Sequence, residues 1–227
     1  MKIRTFLLIA SLVITSVISA QTDFTKPDYD KIQKAIKDKK SDNYFPVLME
    51  RFSKRDTTMT DENYRNLYFG FMFQKKYNPY SHSDKAEELR NYADLEKLDK
   101  AGLKKALDLI DEIYKENPFD LNAMNMQAYA YQLYGNPEMS KKVAATLGKI
   151  LDVILQSGDG RTCETAFHVQ SIQHEYLILN IFDLQSVSQS LIDHCDYLAF
   201  EKDKFKIPGL YFDISKMRDS LMGTIGK

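Results

Sequence analysis

The chain has 227 residues, 31 basic against 32 acidic, for a formal net charge of −1, and 44% of its residues are hydrophobic. That size permits one large or two small domains whose core holds without disulfides. The near-neutral balance offers no basic stripe of the kind nucleic acid demands, so no nucleic-acid partner is expected.

Lys2 and Arg4 precede the apolar run FLLIASLVITSVISA, which exits through Ile18-Ser19-Ala20. A basic start, an apolar segment of about 7–15 residues and a small-residue exit are the parts of a secretory signal peptide. Export is therefore predicted, with residues 1–20 as the leader, cleavage after Ala20, and a periplasmic or secreted mature chain. Ile18 is bulkier than such sites prefer, and an uncleaved N-terminal anchor is the alternative. No later run approaches the roughly 20 apolar residues needed to cross a bilayer, so no transmembrane segment is expected after cleavage. The first cysteine, Cys163, is too far from Ala20 to carry a lipoprotein anchor.

Residues 21–157 read as helical. Ile32 and Ile36 mark a first short helix that the DKKSD stretch ends, and Phe45, Leu48, Met49 and Phe52 mark a second, with Pro46 in its first turn. Thr60 with Asp61 and Glu62 supplies an N-cap and first-turn acids for a third, lined by Tyr64, Leu67, Tyr68 and Phe71 and expected to run to Pro79. Gly70 inside it costs about 1 kcal/mol relative to alanine, which implies close approach of a neighbour.

Leu103, Ala106, Leu107, Ile110, Ile113 and Tyr114 then form a stripe that stops at Asn117-Pro118. Met124, Ala128 and Tyr131 line the next helix, opened by Phe119-Asp120 and closed at Gly135-Asn136-Pro137. Met139, Val143, Leu147, Ile150, Leu151 and Ile154 line a third, before Gly158-Asp159-Gly160. Three such helices with short joints pack as antiparallel neighbours. This stretch, about 101–156, resembles tetratricopeptide repeat spacing. It departs from the repeat at two positions: Met124 stands where the repeat places a large aromatic, and Gln127 where it places a leucine.

Residues 158–227 change texture. Thr165–Ile172 alternates, and YLILNIF at 176–182 is a short continuous apolar run; both are read as strands. LQSVSQSLIDH is read as a strand over a helical alternative, and Tyr197–Phe200 and Leu210–Ile214 are two further strands. The fold class is α+β: a helical-hairpin region followed by a small antiparallel sheet with a short C-terminal helix.

Taken whole, the chain resembles an uncharacterised secreted bacterial family, domain of unknown function 4919, associated with Bacteroidetes. YFGFMFQKKYNPY at 68–80, NPFDLNA at 117–123, SGDGRTCETAFHV at 157–169, CDYLAF and IPGLYFDIS carry the likeness. It implies an address and a fold, and no catalytic residues.

No catalytic motif is present. Cys163 and Cys195, the two cysteines, are permitted to pair in an oxidising compartment. Their loop of about 32 residues would make a bridge worth about 3–4 kcal/mol, but spacing alone equally allows two separate buried thiols. His168, His174 and His194, with Cys195, Glu164 and Glu175, are the residue types of a zinc site. On an extended strand His168 and His174 lie roughly 20 Å apart, and adjacent His194 and Cys195 point to opposite faces. No metal and no cofactor are therefore expected. Phe69, Phe73, Tyr77, Tyr80, His168 and His174 are the candidates for a surface or groove. The expected function is a non-enzymatic module of the bacterial envelope that binds a protein or peptide. The alternative is an envelope or glycan-directed hydrolase whose site the fold assembles.

Overall fold

A computed structural model describes residues 24–80 and 83–225; the leader expected over 1–20 lies outside them. The fold is α+β, with helices dominating the first two thirds and a four-stranded sheet near the C-terminus. The chain forms two compact units, one of Asp28–Val153 and one of Ile154 onward joined by the described residues up to Pro27. The division falls between Val153 and Ile154, within the last turn of a helix.

The first unit opens with α1 (Tyr29–Lys37), α2 (Phe45–Ser53) and α3 (Asp61–Phe71). Asp28 caps α1 through Lys31 N–H at 2.9 Å. Thr60 and Asn63 cap α3 reciprocally, each side chain accepting from the other's backbone N–H. Gly70 admits the close approach its sequence position implied: a Cβ there would stand 2.9 Å from Ile36 Cγ2. α3 stops at Phe71, short of Pro79, because Phe73 and Gln74 N–H groups turn back onto Gly70 and Phe71 carbonyls and the Gln74 side chain donates to Gly70 O at 3.0 Å.

Between α3 and the next long helix lie a short helix α4 (Asp84–Leu89) and two 3₁₀ turns, inside the region read as helical but not singled out there as elements. They bury Leu89 and Leu95 against α5 (Lys100–Glu116), where a stripe of Leu103, Ala106, Leu107 and Ile110 receives them. α6 (Leu121–Tyr134) packs on α5, entered at Asp120, whose side chain accepts from Ala123 N–H, and closed by Gly135 at φ 93°. α7 (Pro137–Leu155) follows with proline at its first position. Phe119 is the hub of the aromatic core, within 5.1–5.7 Å of the rings of Phe52, Tyr68 and Phe71.

The second unit contains β1 (Phe167–His168), α8 (Ile172–Ile181), β2 (Ser186–Ile192), β3 (Cys195–Phe200), β4 (Gly209–Asp213) and α9 (Ser215–Ile225). The strand order is β1-β4-β3-β2; the β2–β3 and β3–β4 pairs are antiparallel, but β1 joins β4 in parallel. Two expected strands are corrected. Of Thr165–Ile172 only Phe167–His168 pairs. YLILNIF is helical, because Ser171 accepts from Gln173 N–H to start a helix that buries Leu177, Ile178 and Leu179 together with His174 and Glu175. A short run buried on several sides carries no period to separate helix from strand.

Candidate functional site

Within the helical unit a cavity of about 350 Å³ is lined by residues including Phe52, Arg55, Asp111, Tyr114, Gln127 and Tyr131. Arg55 stands just beyond α2 in the left-handed region at φ 54°, a conformation that strains a side-chain-bearing residue and persists only where the surroundings impose it. It is 8% exposed, with its guanidinium 5.3 Å from the ring centres of both Phe52 and Tyr114. Nη2 donates to Gln127 Oε1 at 3.1 Å, whereas Nη1 is buried with no hydrogen-bond partner among the described residues.

Gln127 Oε1 also accepts from the Tyr114 hydroxyl at 3.2 Å, and its Nε2 donates to Asp111 Oδ1 at 3.3 Å. Burial pushes the Tyr114 hydroxyl well above its ordinary range and, together with the neighbouring Asp108, raises the Asp111 carboxyl. The result is a partly apolar cavity with a few convergent polar groups and a buried cation, the makeup of a ligand site.

The sheet assembles two further clusters. His168, Asp213 and Cys195 are consecutive partners in one row across β1, β4 and β3, which places their side chains on one face. Cys163 and Cys195 form a disulfide with Cα atoms 5.8 Å apart. His194 lies in the β2–β3 turn rather than on a strand, so the alternation that would have turned it from Cys195 does not apply. Its ring approaches Cys163 Sγ at 3.7 Å and Asp213 Oδ2 at 3.4 Å, and the ring and the two sulfurs of the bridge lie within 4.8 Å of one another. His168 Nδ1 is 3.7 Å from the same Asp213 oxygen.

On the opposite face Asp196 meets α8. Asp196 Oδ2 accepts from Gln189 Nε2 at 2.8 Å, and Gln189 Oε1 accepts from the Tyr176 hydroxyl at 2.8 Å. Glu175 is fully buried, and neither of its oxygens reaches hydrogen-bond geometry with a described residue. Burial first, and then the nearby Asp196, push its carboxyl up to about 9, so it is neutral at pH 7.

The residues singled out from the sequence fall elsewhere. Phe69, expected at a surface or groove, is fully buried, 5.1 Å from the Tyr68 ring and 5.9 Å from that of Tyr29. Phe73 is half-buried against Tyr29, and Tyr77 packs edge-on to Phe71 at 5.7 Å, where burial raises its hydroxyl. Of the four, Tyr80 is exposed. His168 and His174 are buried, and His168 joins the cluster around Asp213. None of the six lines the helical cavity. Sequence reasoning passed over Arg55, Asp111 and Gln127 as site residues, although one signal pointed there: a glutamine at 127 on an otherwise apolar helix face.

These parts define an α+β protein with a polar centre inside a helical layer and a disulfide flanked by histidines on a mixed sheet. The chain belongs to the family described as Domain of unknown function (DUF4919), which it matches over residues 30–223. No curated protein and no solved structure gives a significant match.

Proposed function

We propose that the helical unit of the protein is a non-enzymatic recognition module of the bacterial envelope, which binds a peptide or protein segment through a carboxylate. The observation that carries this reading is Arg55: a guanidinium in the wall of a cavity, held by Gln127 through one nitrogen and unpaired at the other. A guanidinium matches a carboxylate as a planar two-point donor, and an unpaired buried donor gains most from one. Tyr114 and Phe52 supply the apolar wall a side chain needs. The tetratricopeptide-like spacing of 101–156 supports a peptide ligand by analogy of fold. The leader-like first twenty residues and the Cys163–Cys195 bridge support an exported, oxidising address in keeping with the Bacteroidetes association.

Calorimetric titration of the purified mature chain with a panel of short peptides, each as free acid and as amide, tests this. Free acids should bind, and amidation or Arg55→Met should each weaken binding at least tenfold, with the helical circular dichroism of the variant retained. Equal affinity for acid and amide, or unchanged binding by the variant, refutes the reading.

A second reading, an envelope or glycan-directed hydrolase, draws on the Glu175–Asp196 pair, which sets a neutral acid beside a second carboxyl group. Both residues are buried and neither lines the cavity that Arg55 faces, which favours the module.

A further inference from the structure

The disulfide carries an inference independent of the helical cavity. Its two sulfurs are unequal: Cys163 is half-buried in the loop before β1, whereas Cys195 is completely buried at the start of β3. A thiol from outside can therefore reach Cys163 and not Cys195, which fixes the sulfur that is attacked.

Cys163 is also the sulfur with an ionisable neighbour. The His194 ring, its side chain 51% exposed, stands with Nε2 at 3.7 Å and Nδ1 at 3.9 Å from Cys163 Sγ. Asp213 Oδ2 is 3.4 Å from His194 Nε2 and 3.7 Å from His168 Nδ1. The other Asp213 oxygen is occupied by Ser215, whose backbone N–H and hydroxyl donate to it at 2.9 and 2.6 Å. That carboxylate is thus held in place with one oxygen turned to the imidazoles. A ring N–H beside a sulfur favours its thiolate, the form that leaves and attacks in disulfide exchange.

Glu164 is the other acid near this loop; its carboxyl is lowered chiefly by its own backbone N–H and by Thr162, with smaller contributions from Lys26 and His194. Arg218 faces the same turn and donates to the Asp193 carbonyl at 3.0 Å.

We propose that Cys163–Cys195 is an exchangeable disulfide that oxidises a dithiol, with Cys163 as the exchanging sulfur and His194, backed by Asp213, as the group that stabilises its thiolate. A substrate thiolate attacks Cys163 Sγ; the Cys163–Cys195 bond breaks, and Cys195 leaves with the electron pair and takes up a proton. The second thiol of the substrate, deprotonated, attacks the substrate sulfur of the mixed disulfide and forms the substrate's own disulfide. Cys163 departs as a thiolate beside His194. Two electrons pass from the dithiol to the protein, and of the two protons the dithiol loses one ends on Cys195 and the other is released to solvent, one dithiol per bridge.

The test uses the native mature chain and dithiothreitol as the dithiol. Without denaturant, the bridge should open at least tenfold faster than in His194→Ala, whose exposed side chain is replaceable without disturbing the core. After reduction, alkylation mapped by peptide mass should label Cys163 with a half-maximal rate below about pH 7.5, against about 8.5 for an ordinary thiol. His194→Ala should move that midpoint up by a unit or more, and Cys195 should stay unlabelled in the folded protein. A bridge that opens only on unfolding, or a Cys163 midpoint near 8.5 that ignores His194→Ala, overturns the proposal and leaves a purely structural disulfide.

Discussion

Arg55 Nη2 donates to Gln127 Oε1 at 3.1 Å, a bond between residues 72 positions apart that ties the end of α2 to the middle of α6. Gln127 occupies the place where the repeat pattern would put leucine, so consensus reasoning and the structure make opposite predictions for Gln127→Leu. A leucine would suit an apolar helix face. Here it strips acceptors from Arg55 and Tyr114 and leaves a buried cation without its bond. Gln127→Leu should therefore destabilise the protein by about 2–4 kcal/mol in urea unfolding. An unchanged or higher midpoint would show that the network contributes nothing to stability.

Glu175 sets a pH dependence with a definite sign. Its carboxyl is raised from the ordinary range to about 9 on folding, so the folded state holds a proton that the unfolded state has lost above about pH 4.5. The stability this proton provides is complete below the unfolded value and declines as pH rises toward 9. Glu175→Gln keeps the shape and removes the titration. The wild type should lose on the order of 1–3 kcal/mol relative to the variant between pH 5 and pH 8. Parallel stability curves for the two proteins over that range would contradict the assignment.

Gly70 answers to packing rather than to helix propensity. Alanine is better by about 1 kcal/mol in a helix interior, but its Cβ would sit 2.9 Å from Ile36 Cγ2 and 3.3 Å from Ile36 Cδ1. Gly70→Ala should lower stability by about 1 kcal/mol in the wild type, since overpacking outweighs the propensity gain. In an Ile36→Ala background the same change should become neutral or stabilising, a coupling that a double-mutant cycle reads directly.

The predicted leader makes a mass prediction. If residues 1–20 direct export and are removed, the exported protein should have the intact mass of a chain that begins at Gln21. A start upstream of residue 18, or recovery of the protein in the membrane pellet, would support the uncleaved anchor instead.

The amino-acid order alone was enough for what local physics controls. The three- and four-residue stripes of α5, α6 and α7, the Thr60 cap of α3, the close approach at Gly70 and the strands β3 and β4 all follow from periods, caps and breakers acting over a few residues. Where a segment lacked a period, its neighbours decided its state: the run at 176–182 became part of α8 through the Ser171 cap and burial on several sides. The sites lay beyond sequence reading for a related reason. Arg55 meets Gln127, and Cys163 meets Cys195, only after chain separations of 72 and 32 residues close. The row that aligns His168, Asp213 and Cys195 exists only once three strands adopt their register. Composition and spacing give the residue types; which of them share a cavity or a sheet face is set by packing, and no local pattern encodes it.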